Sequence, residues 1–544
     1  MNKKGMQDRL VNVLYWQEAE NDNRAIAEAV YKKKELDAVY GMEETGLLDD
    51  FFYYLQEIGV LELIKKLKAK DVKRIMVPVV YFVVLYMLKA LFGIRSMNSL
   101  PEFLFSNEGS MKFVGFNAHQ IRNGFCKRGD KKRKWKLKLG PICPDTLAKN
   151  IVKFSVRIIE RFFNECIALL ARAGTFDREV TGSLDTTDYQ TTDKYKGRGK
   201  VTRIKKVRQK DGKIKEIEIT VFGWKVGALL EVKKRIPLSV KITKIQVADV
   251  NFTRPLVEQA IKNLDKYSRL ACVVIDRGFL DGEDLWWLKT KGCHFVIPAK
   301  KNMHILLEAN TLAELEERDA NVFPKKRVRT VTRGKGKNAH PVQLETELVG
   351  IKDVAMLDSY GPPEYTKHAN RKNFKAKPLN AIVIKKWDNK KPRKGKAAVF
   401  ITDLPVNNPF IGYDLYDDRS LIENCLWREE KQKWYLKNPP KRTAEGVAVH
   451  TFLTMTVFAL ATAFRYWNKD QQKKIEVGKT TGIQLFWREL RMKNRNKVLI
   501  FKGDKYGVFY LSEIMRLVGF RIKDADPGVG SRSQIMRKYG ISRE

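Results

Sequence analysis

The sequence predicts a mixed α/β fold in which an α/β core follows a helical region and is divided by a mostly β insertion. Apolar residues recur at helical spacing up to about residue 175, and the period becomes strand-like from about residue 176. A stretch rich in Lys and Gly then interrupts the core. The region boundaries are therefore placed, in chain order, at 1–175, 176–300, 301–405, 406–466 and 467–544.

The first region is expected to be helical. Leu48, Phe51, Phe52, Leu55 and Ile58 recur at helical spacing. After Pro144, a second apolar series at the same spacing runs on to Leu169, which predicts one long helix there.

A basic loop lies between these two helical series. Lys131, Lys132, Arg133 and Lys134 stand directly before Trp135, an arrangement suited to phosphate contacts with one aromatic stacking group. A solvated charged loop is the alternative explanation for a single run of this kind. Further basic runs at 194–215, 325–337 and 385–396 favour a broad DNA-binding surface, with region 1–175 as a DNA-binding part.

The strands of the core begin after residue 176. The segments IEITVFGWKVGALLEV and IPLSVKITKIQVAD read as strands, NFTRPLVEQAIKNL as a helix and LACVVID as a buried strand. A short helix, DGEDLWWLKTKG, and another strand, HFVIPAK, follow. Hairpin strands followed by alternating helix and strand are the order of an RNase H-like core. In such a core Asp185 ends the first strand, and Asp276 ends the strand beside it.

The insertion separates the two parts of the core in the sequence. Residues 301–405 contain the strand-like pieces LETELVGI, LNAIVIKKW and AAVFITDLP, with little helical periodicity. Glu423 comes 147 residues after Asp276, so a third acid is reached only after the insertion. A helix from Val447 to Phe464 is expected to return to the core, and the region 467–544 is basic and mixed.

The charge of the chain indicates a polyanionic partner. The 544 residues include 104 Lys and Arg against 63 Asp and Glu, a net charge of +41. Phosphate backbone is the usual partner of such a chain. Small basic ribosomal or chromatin-type proteins share the charge, but at 44% hydrophobic residues this chain can bury a large core. Double-stranded DNA is therefore the expected partner.

Cysteine use and apolar runs indicate a cytoplasmic protein. The six cysteines are scattered, with no C-x-x-C pair, which argues for reduced thiols and against a zinc finger. The runs Ile75–Leu88 and Val447–Phe464 are expected to be buried helices rather than membrane spans, because the first contains Pro78 and the second His450 and four threonines. The N-terminus lacks an apolar signal region, and the bacterial or archaeal nucleoid is the expected location.

The most informative segment is YDDRSLIENCLWREEKQ, residues 416–432. On one helix it would place Tyr416, Arg419, Glu423 and Lys431 on a shared face. An ordinary ion pair between Arg419 and Glu423, four residues apart, is the alternative to a phosphate contact by Arg419.

Two other acids follow apolar segments upstream. Asp185 lies in GSLDTTDYQ, where Asp188 is a rival candidate, and Asp276 lies in ACVVIDRGF. Singly, these acids could be a turn residue and a helix cap, and Glu423 a surface charge. Together, three carboxylates in a basic chain predict metal-dependent chemistry on nucleic acid.

At these residues the chain resembles the insertion-sequence transposases of the DDE superfamily that carry a Tyr-x2-Arg-x3-Glu-x6-Lys signature. Asp185 in LDTTD, Asp276 in IDRGF and Glu423 match the three acids, and FITDLP matches the strand before the signature helix. The resemblance covers roughly residues 45–465.

The chain departs from this pattern at two places. Glu430 occupies the position of the signature Lys, so Lys431, or Lys433, would have to supply its contact. Ala398 stands where some relatives carry a tryptophan before the FITDLP-like strand, so Trp387 or Phe400 would have to stack on a DNA base instead.

The resemblance implies a cut-and-paste transposase that binds terminal inverted repeats, cleaves them and joins the ends to target DNA. Two Mg²⁺ ions, for which Mn²⁺ can substitute, would be held by Asp185, Asp276 and Glu423, with Asp185 bridging them. It also implies a hairpin intermediate and a homodimer on paired DNA ends. Two alternatives remain open, a catalytically silent DNA-binding derivative and an RNase H-like structure-selective nuclease.

Overall fold

A computed structural model describes fourteen stretches of the chain. They are residues 19–43, 48–69, 77–124, 141–208, 214–301, 303–314, 321–333, 340–354, 359–362, 379–388, 391–392, 398–468, 495–526 and 528–542. The chain forms two compact units that interleave along the sequence. The first unit comprises 1–173, 193–198 and 428–544, and the second comprises 174–192 and 199–427.

The elements before residue 174 belong to the first unit and are mainly helical. In chain order they are β1 (Glu20–Asn21), α1 (Asn23–Tyr31), β2 (Ala38–Glu43), α2 (Leu48–Glu57), α3 (Val60–Lys66), α4 (Val79–Leu91), α5 (Glu108–Val114), α6 (Ala118–Asn123), α7 (Pro144–Ile151) and α8 (Val156–Arg172).

The elements from 174 to 427 belong to the second unit and include most of the strands. They are β3 (Glu179–Thr191), β4 (Gly199–Arg208), β5 (Ile214–Glu231), β6 (Ile236–Lys244), α9 (Thr253–Leu264), β7 (Arg269–Ile275), α10 (Gly282–Thr290), β8 (His294–Pro298), α11 (His304–Glu314), β9 (Val322–Arg333), β10 (His340–Val354), β11 (Leu379–Asp388), β12 (Lys391–Pro392), β13 (Ala398–Thr402) and α12 (Phe410–Asp417). A π-helix, Ile422–Trp427, ends this unit.

The remaining elements return to the first unit. They are α13 (Arg428–Gln432), α14 (Ala444–Trp467), β14 (Lys497–Lys502), β15 (Lys505–Tyr510), α15 (Leu511–Val518) and α16 (Arg532–Lys538).

Helix α14 is the centre of the first unit, and α8 and α4 pack against it. Within the described residues, α14 is the helix long and apolar enough to cross a membrane, and the whole of its most apolar window is buried in the protein. Its threonine hydroxyls donate to carbonyls one turn earlier, as Thr456 does to Phe452, so no polar group of theirs lacks a partner. The sequence predicted such a buried helix for Val447 to Phe464.

Residues 20–43 and 497–538 form a second part of the first unit, here named the terminal module. Its sheet has the order β1-β15-β14-β2, with β2 antiparallel to β14. Residues of α1, α15 and α16 pack with those strands in one apolar cluster, which includes Ile26, Ile500, Leu517 and Ile535. The core of this module therefore depends on residues from both ends of the chain.

The described strands of the second unit form one 11-stranded sheet. Its order is β4-β5-β3-β7-β8-β13-β11-β10-β9, with β6 also paired to β5 and β12 to β11. The pairs β3–β7 and β7–β8 are parallel, whereas β3–β5 and β5–β6 are antiparallel. Glycine allows close packing on this sheet: a Cβ on Gly227 would lie 2.3 Å from the ring of Phe252.

Four features differ from the sequence predictions. The strands of the expected insertion, 301–405, continue the core sheet through the β8–β13 pair instead of forming a separate sheet. The apolar series after Pro144 forms two helices, because the chain bends before Ser155, whose side chain caps α8. Strand β3 continues past Asp185 to Thr191. Helix α14 packs within the first unit rather than in the core of the second.

Candidate active site

Two of the predicted acids lie at corresponding positions of neighbouring parallel strands. The β3–β7 pairing ends with Leu184 opposite Ile275, and Asp185 and Asp276 are the residues that follow these two. Beyond this point β3 pairs with β5 alone among the described strands, whereas β7 ends and Asp276 begins a short 3₁₀ turn. Both carboxylates therefore lie where the parallel part of the sheet stops.

Both carboxylate oxygens of Asp185 accept hydrogen bonds. The backbone N–H of Thr186 donates to Oδ1 at 2.8 Å, and the indole Nε1 of Trp427 donates to Oδ2 at 3.2 Å. Trp427 is itself 4% exposed. Two donors at different angles fix the plane of this carboxylate before any ligand arrives.

The two other predicted acids act electrostatically on Asp185. Burial raises the pKa of Asp185 to about 6, and the N–H of Thr186 and the guanidinium of Arg419 act in the opposite direction. The negative charges of Glu423 and Asp276 raise this pKa further. A buried carboxyl with two acidic neighbours is a place where positive charge is favourable.

Glu423 lies in the π-helix and is paired with Arg419. The guanidinium Nη1 of Arg419 donates to Glu423 Oε1 at 3.2 Å, and the side chains are 20% and 56% exposed, respectively. The ion pair that the sequence offered as an alternative therefore exists. A guanidinium carries five donors, so Arg419 can contact further acceptors besides Glu423.

Tyr416 packs into the same site. Its ring lies 4.3 Å from that of Phe400, centroid to centroid, and the Arg419 guanidinium lies 5.6 Å from the Tyr416 centroid. Burial raises the pKa of Tyr416, and the charge of Asp276 raises it further, while Arg419 lowers it. The phenol is therefore neutral and can donate a hydrogen bond.

The signature segment is not one regular helix. Helix α12 ends at Asp417, the π-helix begins at Ile422, and α13 starts at Arg428. The sequence predicted a continuous helix here, with one face for all four signature residues. Because the helix is interrupted, the four signature residues do not share the face of one regular helix. Trp427, four residues after Glu423, donates to Asp185.

A fourth acid, Asp249, lies beside the site and was missed by the sequence analysis. Its Oδ1 accepts from Thr186 Oγ1 at 2.8 Å and from Lys225 Nζ at 2.7 Å. A Cβ on Gly278 would lie 3.4 Å from Asp249 Oδ2 and 4.0 Å from Asp276 Oδ2. The only signal in the sequence was an acid between a strand and a helix, in VADVNF. Because Lys225 already neutralises Asp249, it is less suited to a metal than the other three.

Asp188, the rival of Asp185, has a different environment. Its Oδ2 accepts from Arg203 Nη1 at 2.5 Å. Successive residues of a strand point to opposite faces, so Asp188, three positions on, lies on the other face of β3. This placement favours Asp185 as the acid of the site.

The donor set fits a divalent cation, although the described residues contain no group of three His, Cys, Asp or Glu side chains close enough to hold one. Carboxylate oxygens are the ligands that Mg²⁺ takes from proteins, and it keeps several waters. Burial and two acidic neighbours disfavour the ionised form of Asp185, and a bound cation would favour it.

The other DNA-binding predictions concern a basic loop and an aromatic stacking residue. The basic loop with Lys131, Lys132, Arg133 and Lys134 falls outside the described residues. Trp387 is half-buried on β11, opposite Glu345 of β10. Phe400, the other candidate for the missing tryptophan, is the one that packs against Tyr416.

Glu430, at the position of the signature Lys, is a buried acid. Glu430 is fully buried, and neither of its carboxylate oxygens has a hydrogen-bond partner among the described residues. Burial raises the pKa of Glu430 well above its usual range, which favours its protonated form in the folded chain. Lys431 is half-buried on α13 in the first unit, and its contact with DNA stays a prediction.

Comparison with known proteins gives one strong match. A family model described as a transposase DDE domain matches residues 177–460, more than half of the chain. No protein with a curated description matches the sequence. A cryo-EM structure of a piggyBac transposase synaptic complex with hairpin DNA is similar at 9% identity and a TM-score of 0.33, over 88% of this chain and 81% of that one. A TM-score this low carries no argument about fold or function.

Proposed function

The chain belongs to the transposase DDE domain family, and from this membership we propose that it is a cut-and-paste DNA transposase. It binds the terminal inverted repeats of a mobile element, cleaves the DNA ends and joins them to target DNA. In this proposal it acts as a homodimer on paired double-stranded ends, through a hairpin intermediate. The observation that carries the proposal is the position of Asp185 and Asp276 directly after the last paired residues of parallel β3 and β7, with Trp427, four residues after Glu423, hydrogen-bonded to Asp185.

The sheet order supports an RNase H-like core. The strands β3, β5 and β6 form antiparallel hairpins, and β7 and β8 then add in parallel beside β3. Helices α9 and α10 alternate with β7 and β8 along the chain. This is the arrangement that places one acid on the first strand and one after the strand beside it.

The three acids would hold the metal, and the neighbouring residues would position the DNA. The chemistry supplied by bound Mg²⁺, for which Mn²⁺ can substitute, is activation of the attacking hydroxyl and stabilisation of the oxygen that leaves. Trp427 keeps the Asp185 carboxylate in one orientation. Arg419 and Tyr416 offer N–H and O–H donors to the phosphate next to the cut.

Replacing each acid tests the proposal. Asp185→Ala, Asp276→Ala and Glu423→Ala should abolish Mg²⁺-dependent cleavage of the element ends and leave DNA binding nearly unchanged, because the acids contact metal rather than bases. The substrate is duplex DNA taken from either side of the gene, and the readouts are strand cleavage and gel-shift affinity. Asp188→Ala is the matched control, and it should cleave.

The outcomes separate the alternatives. Wild-type cleavage by one of the three variants removes that residue from the site, and a dead Asp188→Ala with an active Asp185→Ala moves the assignment by three residues. A wild-type protein that binds the ends but cleaves with neither Mg²⁺ nor Mn²⁺ is a silent derivative. Equal cleavage of unrelated branched DNA identifies a structure-selective nuclease.

A further inference from the structure

Strand β5 is longer than its partners in the sheet, and its first half leaves the sheet with β4. Residues 222–231 of β5 pair with β3, and residues 224–231 pair with β6 on the other edge. The eight pairs from Val201–Val221 to Arg208–Ile214 join β4 and β5 alone among the described residues. We name this two-stranded part, residues 199–208 and 214–221, the ribbon. At about 3.3 Å per residue its eight pairs extend about 26 Å.

The ribbon extends beyond the strand ends at which the acids lie. After Asp185, β3 continues to Thr191, which is its last residue to pair with β5, at Phe222. The ribbon continues β5 from that point in the same direction. A duplex held at Asp185 and Asp276 and extending along this direction would therefore run beside the ribbon.

The ribbon combines exposed apolar side chains with basic ones. Ile204 and Ile214 are each 67% exposed, and Ile217 is 37% exposed. Residues 199–208 and 214–221 contain six Lys or Arg and two acids. Ile204 pairs with Glu218, and Ile214 lies four residues before Glu218 on the same strand, so the two isoleucines share one face. Two exposed isoleucines on one face among basic side chains favour contact with a partner.

Duplex DNA is the partner whose chemistry fits. A two-stranded β-ribbon has the width of the major groove, where base edges and thymine methyl groups are accessible. Lysines on the ribbon can reach phosphates on both sides of the groove. A length of about 26 Å corresponds to about eight base pairs at ~3.4 Å per step.

We propose that the ribbon lies in the major groove of the duplex that borders the cleavage site, with Ile204 and Ile214, which share one face of the ribbon, against base edges and its lysines on phosphates. The proposal rests on the transposase function proposed above and deepens it by naming a surface that binds the DNA. A second copy of this chain, pairing with the free ribbon edges, is the rival occupant that the experiment must separate.

Two double variants divide the ribbon into its charged and apolar parts. Lys200→Gln with Lys205→Gln removes two exposed charges, and Ile204→Ser with Ile214→Ser removes the two exposed apolar side chains that share one face. Lys262→Gln with Lys266→Gln, two exposed lysines at α9, is the matched control for lost charge. Circular dichroism and thermal melting confirm that each variant folds as the wild type does.

The charged variant is tested by the salt dependence of binding to a 40-base-pair duplex, a chosen probe length of about five times the ribbon's reach. It should bind about tenfold or more weakly, and the slope of log affinity against log salt should fall by about 2, since each phosphate contact contributes about 0.9. The control should keep the wild-type slope. A ribbon variant that retains the slope overturns the proposal.

The apolar variant is tested by methylation protection of guanine N7, which lies in the major groove. On a duplex carrying the element end, the wild type should protect guanines over about eight base pairs beside the cut. The Ile204→Ser, Ile214→Ser variant should lose that protection and keep its salt slope. Unchanged protection in this variant overturns the proposal. So does a variant that sediments as a monomer where the wild type is a dimer while its DNA contacts are unchanged, because the ribbon then binds a second copy of the chain.

The failure of this proposal is distinguishable from failure of the transposase function. Protection and salt dependence are measured without Mg²⁺ and need no cleavage. A protein that protects the groove but never cuts DNA contradicts the transposase proposal and leaves the ribbon assignment standing. A protein that cuts the ends while the ribbon variants bind and protect like the wild type contradicts the ribbon alone.

Discussion

The indole of Trp427 connects the segment that carries Glu423 with the strand that carries Asp185. The bond from Nε1 to Asp185 Oδ2 spans 242 positions of the sequence. Trp427 and Glu423 lie in the same π-helix. Trp427 orients Asp185, and Glu423 is itself one of the three acids. Trp427 is therefore a positioning residue for the proposed metal site.

Trp427→Phe should weaken metal binding while keeping the packing. Phenylalanine retains an aromatic ring but cannot donate to Asp185, and a lost hydrogen bond of this kind is worth about 1 kcal/mol, or about five- to tenfold in affinity. The measurement is Mn²⁺ binding by calorimetry, together with the Mg²⁺ concentration for half-maximal cleavage. Trp434→Phe is the matched control, because the buried Trp434 Nε1 has no partner among the described residues. Wild-type Mn²⁺ affinity in Trp427→Phe contradicts the role.

Glu430 predicts a pH dependence of stability. Its folded pKa is raised above the unfolded value by burial, so its contribution to stability is complete below the unfolded pKa and is lost as pH rises through the folded pKa. Glu430→Gln should therefore gain stability relative to the wild type as pH rises from 5 to 8. Thermal melting across that range measures the difference. Glu445→Gln, at an exposed acid of α14, supplies the baseline, and a pH-independent difference for Glu430→Gln would contradict the prediction.

Sequence reasoning located some residues of the site and missed others for identifiable reasons. Asp276 was placed correctly after its strand, because the buried run ACVVI must end before a charged residue. Trp427 and Asp249 were missed, because their partners Asp185 and Thr186 are distant in sequence. Such contacts depend on strand register and on a π-helix, and no local pattern records either.

At the scale of elements, the contact of Gly227 with Phe252 positions the turn that carries Asp249. Phe252 is fully buried, and it ends the 3₁₀ turn that begins at Asp249. Gly227 lies opposite Thr186 on β3 and leaves room for that ring. The close approach of the ring to the sheet therefore holds Asp249 within reach of Thr186 and Lys225.

Gly227→Ala should destabilise the second unit. The new Cβ would lie 2.3 Å from the Phe252 ring, a distance that forces the ring or the strand to move, and overpacking of this kind costs about 1–3 kcal/mol. Chemical denaturation measures the change. Gly41→Ala, on β2, is the control: nothing lies within 4 Å of its added Cβ, so it should be neutral or slightly stabilising. Equal effects of the two changes would contradict the packing argument.

The elements themselves were predictable to different degrees. Alternating and β-branched segments predicted β5, β7 and β8, because each is an apolar strand bounded by polar residues. The association of the insertion with the core was not predictable, since β13 joins β8 through backbone hydrogen bonds that any sequence can make. The break before Ser155 was also missed, because apolar spacing continues across it from α7 into α8.

At the scale of the whole molecule, the net charge of +41 predicts binding that falls steeply with salt. Each phosphate neutralised releases counterions, so a surface with several basic runs should give a slope of log affinity against log salt of about −5 or steeper. Titrations of a labelled duplex between 50 and 200 mM salt, the range of about fourfold over which such slopes are compared, measure it. Affinity that hardly changes over that range would show that most of the charge is solvated and that a small patch makes the contact.

The pairing of β2 with β14 has a consequence for the order of synthesis. Val39 pairs with Ile500, so β2 waits for residues made about 460 positions later. At about 5–20 residues per second, that delay is roughly 20 to 90 seconds. During it β2 lacks this neighbour, and the segments that carry Asp185, Asp276 and Glu423 emerge one after another. A chain that stops after Glu423 but before β14 thus contains all three acids while β2 has no β14 to pair with.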